Sequence, residues 1–272
     1  MNNGSFDNLN VSARYGLRLN AFQIRHRYSM RPRRRGANVS NNVFPPRGLG
    51  RIERRMLPSV TELDDLLAIP AEDWARAALE FVLTREPRPV AHHSIRSYFF
   101  ARLLAEHEGM RGEVDDRLLF AATALHDIGL RAGVTSQDRF EVDGADHAAE
   151  FLRAHAFDER EIDVVWEAIA LHTSPGIAER RGVIAMLTRE GVGVDFGRNA
   201  DIVDDEQARR IHDAYPRLSM VTSLVDAIVA QCQEVPAKGP RYTIAGELAH
   251  ERSVPPHVTQ LERVTSTSRW GR

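Results

Sequence analysis

The chain has 272 residues, 43% of them apolar and 27% charged, with a formal net charge of −2. That is ordinary for a soluble globular protein, and long enough to bury one large core or two small ones. One cysteine, Cys232, excludes an internal disulfide and fits a reducing compartment. No apolar run approaches the roughly 20 residues of a membrane span, and no stretch has the layout of a secretory signal, so a cytoplasmic protein without a membrane partner is expected.

The small net charge hides an asymmetry. Residues 1–57 hold twelve Arg against two acids, Asp7 and Glu53, which leaves 24 basic and 36 acidic residues on the rest. This leader, with Arg31-Pro-Arg-Arg-Arg35 and Pro45-Pro-Arg-Gly-Leu-Gly50, lacks periodicity and reads as a disordered extension. An Arg-rich arm of this kind could target the chain or touch nucleic acid. The preferred reading is an extension without such a role, so nucleic acid is not among the expected partners.

From residue 58 the pattern turns helical. Ser59 or Thr61 caps a short helix through Leu67. Residues 71–84 form the next, with Trp74, Ala77, Ala78, Phe81 and Val82 on one face. Pro87 and Pro89 break the chain, and 92–107 make a third helix. Residues 115–128 form a central apolar helix ending in Leu125-His126-Asp127-Ile128-Gly129. Asp143 or Asp146 starts a helix to His155. Asp158 caps the next, which is amphipathic through Ile162, Val165, Trp166 and Ile169. Residues 177–190 follow, then a Gly-rich piece, 191–197. Helices over 204–214 and 218–233 complete an all-α domain spanning 58–234, and the tail, 235–272, reads as loosely ordered.

Four segments each place a metal-capable side chain near a helix end: His93, His126 with Asp127, His172, and Asp195. A helical bundle builds an internal metal site in this way. Imidazole and carboxylate ligands suit zinc or ferrous iron, and no cysteine stands near. Asp201 and Asp226 compete with Asp195. Arg96, three residues past His93, can reach the same pocket or pair with an acid. His92, beside His93, is expected to be exposed, and His107, His147, His155 and His212 read as surface.

The order His93, His126-Asp127, Asp195 resembles the HD-domain metal-dependent hydrolase superfamily. His93-Ser-Ile-Arg-Ser97, Leu125-His-Asp-Ile-Gly129, Arg139-Phe-Glu-Val-Asp-Gly-Ala-Asp146, Leu171-His-Thr173 and Val194-Asp-Phe-Gly197 are similar to its cyanamide hydratase branch. The resemblance covers about residues 60–230. It implies a helical HD fold, one divalent metal (zinc in the hydratases) held by His93, His126, Asp127 and Asp195, and addition of water to the nitrile carbon of cyanamide to give urea. Asp127 would accept the water's proton, and His172 and Arg96 would complete the catalytic set. Many phosphohydrolases of the superfamily carry a Lys where this chain has Leu130. That departure favours a small neutral substrate over the alternative, a nucleotide or other phosphoester. The expected partner is therefore a small molecule, with assembly as a homo-oligomer left open.

Overall fold

A computed structural model of the chain describes residues 65–271 except 132, 134 and 135, all within one of two units, Glu53–Arg272. The expected extension, 1–57, and the start of the short helix before Leu67 lie outside the described residues. The described residues form ten α-helices with short 3-10 turns and no strand, which is the all-α class expected.

Helix α1 spans Asp73–Arg85, α2 Arg88–His107, α3 Asp116–Ala124, α4 Phe140–Ala154 and α5 Glu159–Leu171. Helix α6 spans Val183–Asp195, α7 Asp205–Ala214, α8 Met220–Glu234, α9 Ile244–Ser253 and α10 Gln260–Ser266. Local signals set several starts. Asp115 caps α3 through Arg117 and Leu118, and Asp158 with Glu161 forms a capping box on α5. Asp204 with Gln207 does the same on α7. In each case side chains satisfy amide groups that the first turn leaves unpaired.

Several boundaries differ from the sequence reading. The helix expected to start at Asp143 or Asp146 starts at Phe140, and the one expected over 177–190 is Val183–Asp195. Two of the differences bear on the site. Pro89 does not break the chain. It sits in the first turn of α2, where a missing N–H costs nothing and the fixed φ suits a helix. Helix α2 therefore begins early, and its whole wall from Val90 to Ala101 is buried. The Gly-rich piece is not a loop either: Gly191 and Gly193 lie inside α6, which runs to Asp195. Gly191 is there because α2 and α6 touch backbone to backbone. A Cβ at 191 would come 2.5 Å from Ser97 O and 2.7 Å from Ala101 Cβ.

Helix α2 packs against α3, α6 and α8, while α5 packs on α3 and α6, and α4 packs on α5 and on the turn Ile128–Leu130. The aromatic core is continuous: Trp74 meets Phe120 and Phe157 edge-on, and Tyr98 meets Phe120. Each such buried ring contributes roughly 1.5–3 kcal/mol.

The C-terminal segment 235–272 corrects the expectation of a loose tail. It carries α9 and α10, buries Ala245 and Leu248 against α8, and stacks Trp270 on Phe100. Lys238, the only lysine, is 1% exposed. Its ammonium pairs with the Asp143 carboxylate of α4 and donates to Asp138 O at 2.9 Å. A buried acid stripped of its partner is strongly destabilising. Lys238→Met should lower unfolding free energy by about 3 kcal/mol in chemical denaturation; an unchanged midpoint would mean that the segment does not hold the domain.

Candidate metal centre

The His126-Asp127 step lies just past the end of α3, in a turn followed by a 3-10 turn, Ile128–Leu130. The central helix thus stops at Ala124, four residues short of the expected end. The turn is pressed onto α4. A Cβ at Gly129 would fall 2.0 Å from Phe140 O, and Gly144 faces it, 3.2 Å from His126 O at the Cβ position. Only glycines allow this approach, and it aims both side chains back toward α2.

Three of the expected ligands converge. One ligand atom from each of His93, His126 and Asp127 lies within 4.8 Å of the others. His126 Nε2 is 3.1 Å from Asp127 Oδ2, and His93 Nε2 is 3.9 Å from the same oxygen. Two atoms each about 2.0–2.2 Å from one ion can be no more than about 4.4 Å apart, so both separations suit a shared cation. All three residues are buried, at 1%, 0% and 2% exposure.

The imidazoles are fixed in the tautomer a metal needs. His126 Nδ1 lies 2.8 Å from Thr123 O, and a carbonyl can only accept, so Nδ1 carries the proton. His93 Nδ1 donates to Asp195 Oδ2 at 2.6 Å, and His172 Nδ1 donates to Ile169 O at 2.7 Å. Each ring therefore presents a bare Nε2. His126 Nε2 and Asp127 Oδ2 are buried without a hydrogen-bond partner. Two acceptors 3.1 Å apart repel unless positive charge lies between them.

The titration of these groups says the same. Burial works to lower the pKa of His126, but the Asp127 carboxylate more than offsets it and the pKa is raised. For Asp127, burial works upward, yet His126 and the other imidazoles hold the carboxyl well below its usual range. The residues present fit a divalent cation.

His172, the C-cap of α5, stands on the other oxygen of the carboxylate: its Nε2 is 3.8 Å from Asp127 Oδ1. Burial first, and then the neighbouring His126, pull its pKa down to about 4. It is a neutral base at pH 7. Arg189 Nη1 bonds its carbonyl at 3.0 Å.

Asp195, expected as the fourth ligand, and Arg96, expected in the catalytic set or paired with an acid, both stand behind His93. Asp195 is fully buried behind His93, and both its oxygens are committed. Oδ2 accepts from His93 Nδ1 and from Arg96 Nη2 at 2.7 Å; Oδ1 accepts from Arg96 Nε at 2.9 Å and Arg217 Nη1 at 2.8 Å. Burial works to raise its pKa, but Arg96 and His93 hold it well below the usual range. This is how a carboxylate orients a ligating histidine. Arg96 spends its remaining Nη1 on Tyr215 O and Pro216 O, at 3.0 and 3.2 Å. It holds Asp195 and does not face the cluster. Asp201 and Asp226 are exposed, and Asp226 pairs with Arg252.

Several groups carried no signal in the sequence. His92 is buried, with Nδ1 3.0 Å from Pro216 O. His212 is partly buried between Phe100 and Trp270 rather than on the surface. Glu86, the C-cap of α1, accepts from Ser94 Oγ at 3.2 Å. Burial, and then the charge of Asp127, raise its pKa well above the usual range. Arg217 joins Asp195 from the turn between α7 and α8. None falls in a periodic pattern or a motif.

No curated protein matches the chain. The HD domain family model matches residues 90–229, about half of the chain. The match runs from the first turn of α2, through the His126-Asp127 turn, to α8, and so contains every residue of the cluster. Proteins of this family are generally metal-dependent hydrolases that bind divalent cations through such a set, and the chain belongs to the HD domain family.

Proposed function

We propose that this protein is a zinc-dependent hydro-lyase that adds water to a small neutral nitrile, with cyanamide giving urea. The observation that carries this reading is the apolar residue that closes the His126-Asp127-Ile128-Gly129 turn. Leu130 is buried at 4% where a phosphohydrolase would place a lysine, and Arg96 and Arg217 are turned onto Asp195. A phosphoester needs charge at this point; a nitrile does not.

A divalent cation held by His93, His126 and Asp127 would let water ionise near neutral pH. The chain's own groups then handle the proton. His172 is locked with Nδ1–H on Ile169 O, so only Nε2 can accept. It takes the proton released as the water oxygen bonds the nitrile carbon. It returns that proton to the nitrile nitrogen, which balances the addition and gives isourea, the tautomer that converts to urea. Burial keeps His172 neutral, so its Nε2 is free to accept at neutral pH.

The second reading is a phosphoester hydrolase. It is favoured by a cavity of about 340 Å³ lined by Phe81, Arg85, Arg131, His147, Glu150 and Phe151, with Arg131 four residues beyond Asp127. Urea release from cyanamide, measured beside phosphate release from a panel of nucleotides and phosphoesters, separates the two. His172→Ala should keep its metal and lose turnover by about 10²–10⁴. Phosphate release with no urea would overturn the hydro-lyase reading, and loss of metal in this variant would make His172 a ligand.

A further inference from the structure

The sequence pieces Arg139-Phe-Glu141 and Leu171-His-Thr173 meet in the structure through one hydrogen bond. The Thr173 hydroxyl donates to Glu141 Oε1 at 2.6 Å, across 32 positions of chain. Glu141 lies in the first turn of α4 and is wholly buried. Arg139 holds the same carboxylate, with Nη2 2.6 Å from Oε1 and Nε 3.3 Å from Oε2. An acid in the first turn of a helix gains from the positive end of the dipole even at the surface. Burial adds a desolvation cost, so it needs a further reason. The contact that burial makes possible is the one to Thr173.

Thr173 follows His172, and the peptide between them lies past Leu171, the last residue of α5. The carbonyl of that peptide is one of those a helix end leaves unpaired. Bonds from two other helices fix it instead. Arg189 Nη1, on α6, donates to His172 O at 3.0 Å, and Arg189 Nε is itself held by Glu179 Oε1 at 2.8 Å. Glu141, on α4, holds the side chain at the other end. A peptide is a rigid plane, so fixing both ends sets where the His172 side chain leaves the backbone. The ring is then oriented by the Nδ1–H bond to Ile169 O at 2.7 Å and by Phe140, edge-on at 5.8 Å. Nε2 is left 3.8 Å from Asp127 Oδ1.

The start of α4 also supports the turn that carries His126 and Asp127. Phe140 O faces Gly129, and Gly144 faces His126 O. One stretch of helix thus sets His172 relative to the cluster. Misplacing a reacting group by 1 Å can cost about 100-fold in rate.

We propose that Glu141 is a positioning residue for His172, the base of the reaction proposed above on which this assignment rests, and that it acts through the Thr173 hydroxyl. Glu141 is not itself a reacting group. It holds the peptide after His172 so that Nε2 stays aimed at the place where the proton is taken up.

The test uses the full-length chain supplemented with zinc. Thr173→Val keeps the side-chain shape and loses the donor, and Thr173→Ser restores the donor. Two measurements are made on each: steady-state hydration of cyanamide, and the imidazole nitrogen magnetic resonance signals that show which ring nitrogen of His172 carries the proton. Thr173→Val should keep its metal and KM, lose kcat by roughly 10- to 100-fold, and spread His172 over both tautomers. Thr173→Ser should restore the rate and the single Nδ1–H form. Glu141→Leu should match Thr173→Val, and combining the two should add no further loss, since both break one bond. Unchanged His172 signals in Thr173→Val overturn the assignment, as do a loss confined to KM, a loss that serine does not restore, or losses that add. Should Glu141→Leu not fold, the Thr173 pair still decides. A native chain that forms no urea removes the hydro-lyase reading, and the His172 signals then decide on Glu141 by themselves.

Discussion

His126→Ala and Asp127→Ala are expected to purify folded and essentially free of metal. Each removes an atom that is buried without a hydrogen-bond partner and that faces the other at 3.1 Å. Neither atom holds another element of the fold, because the anchoring bond of His126 runs from its Nδ1 to Thr123. Asp195→Asn should act differently. It leaves His93 in place but weakens the bond that orients it, and loss of such a partner typically costs about 10–100-fold in metal affinity. Elemental analysis and chelator competition on the purified variants read both effects. Full occupancy in His126→Ala or Asp127→Ala would remove the cluster as the metal site. Complete loss in Asp195→Asn would bring that residue into the direct ligand set.

Arg96→Met should destabilise the domain by about 3–5 kcal/mol, as expected when a buried ion pair loses one partner. Arg96 is wholly buried and ties Asp195 on α6 to α2 and to the carbonyls of Tyr215 and Pro216. Methionine fills similar space and offers no donor. Asp195 would keep Arg217 and His93 but lose its two-pronged partner, and the Tyr215 carbonyl would lose its donor, while Pro216 O would keep only His92. Denaturant unfolding of the metal-free protein measures the stability directly. A normal midpoint combined with lost turnover would instead return Arg96 to the reacting groups.

Much of this protein was legible one residue at a time. The helical periods of Ile162, Val165 and Ile169 and the capping acid Asp158 are local signals, because a helix satisfies its own backbone and its start depends on the next three residues. His93, His126 and Asp127 were legible for a related reason. A polar pair closing an apolar helix must have a partner inside the core, and the structure supplies one. Arg96 and Asp195 were found as residues but not as roles.

The chain's sequence by itself determined the all-α class, most helix positions and the three convergent candidate ligands. Tertiary structure decided what lies behind them. Whether Asp195 meets a metal or the back of His93 depends on how closely α2 and α6 approach. That approach is set by the missing side chain at Gly191 against Ser97 O, a contact between residues 94 positions apart. The partners of Arg217 and Lys238 were invisible for the same cause. An ion pair across the fold leaves no period in the sequence, and burial, which gives it its energetic weight, exists only once the helices have packed.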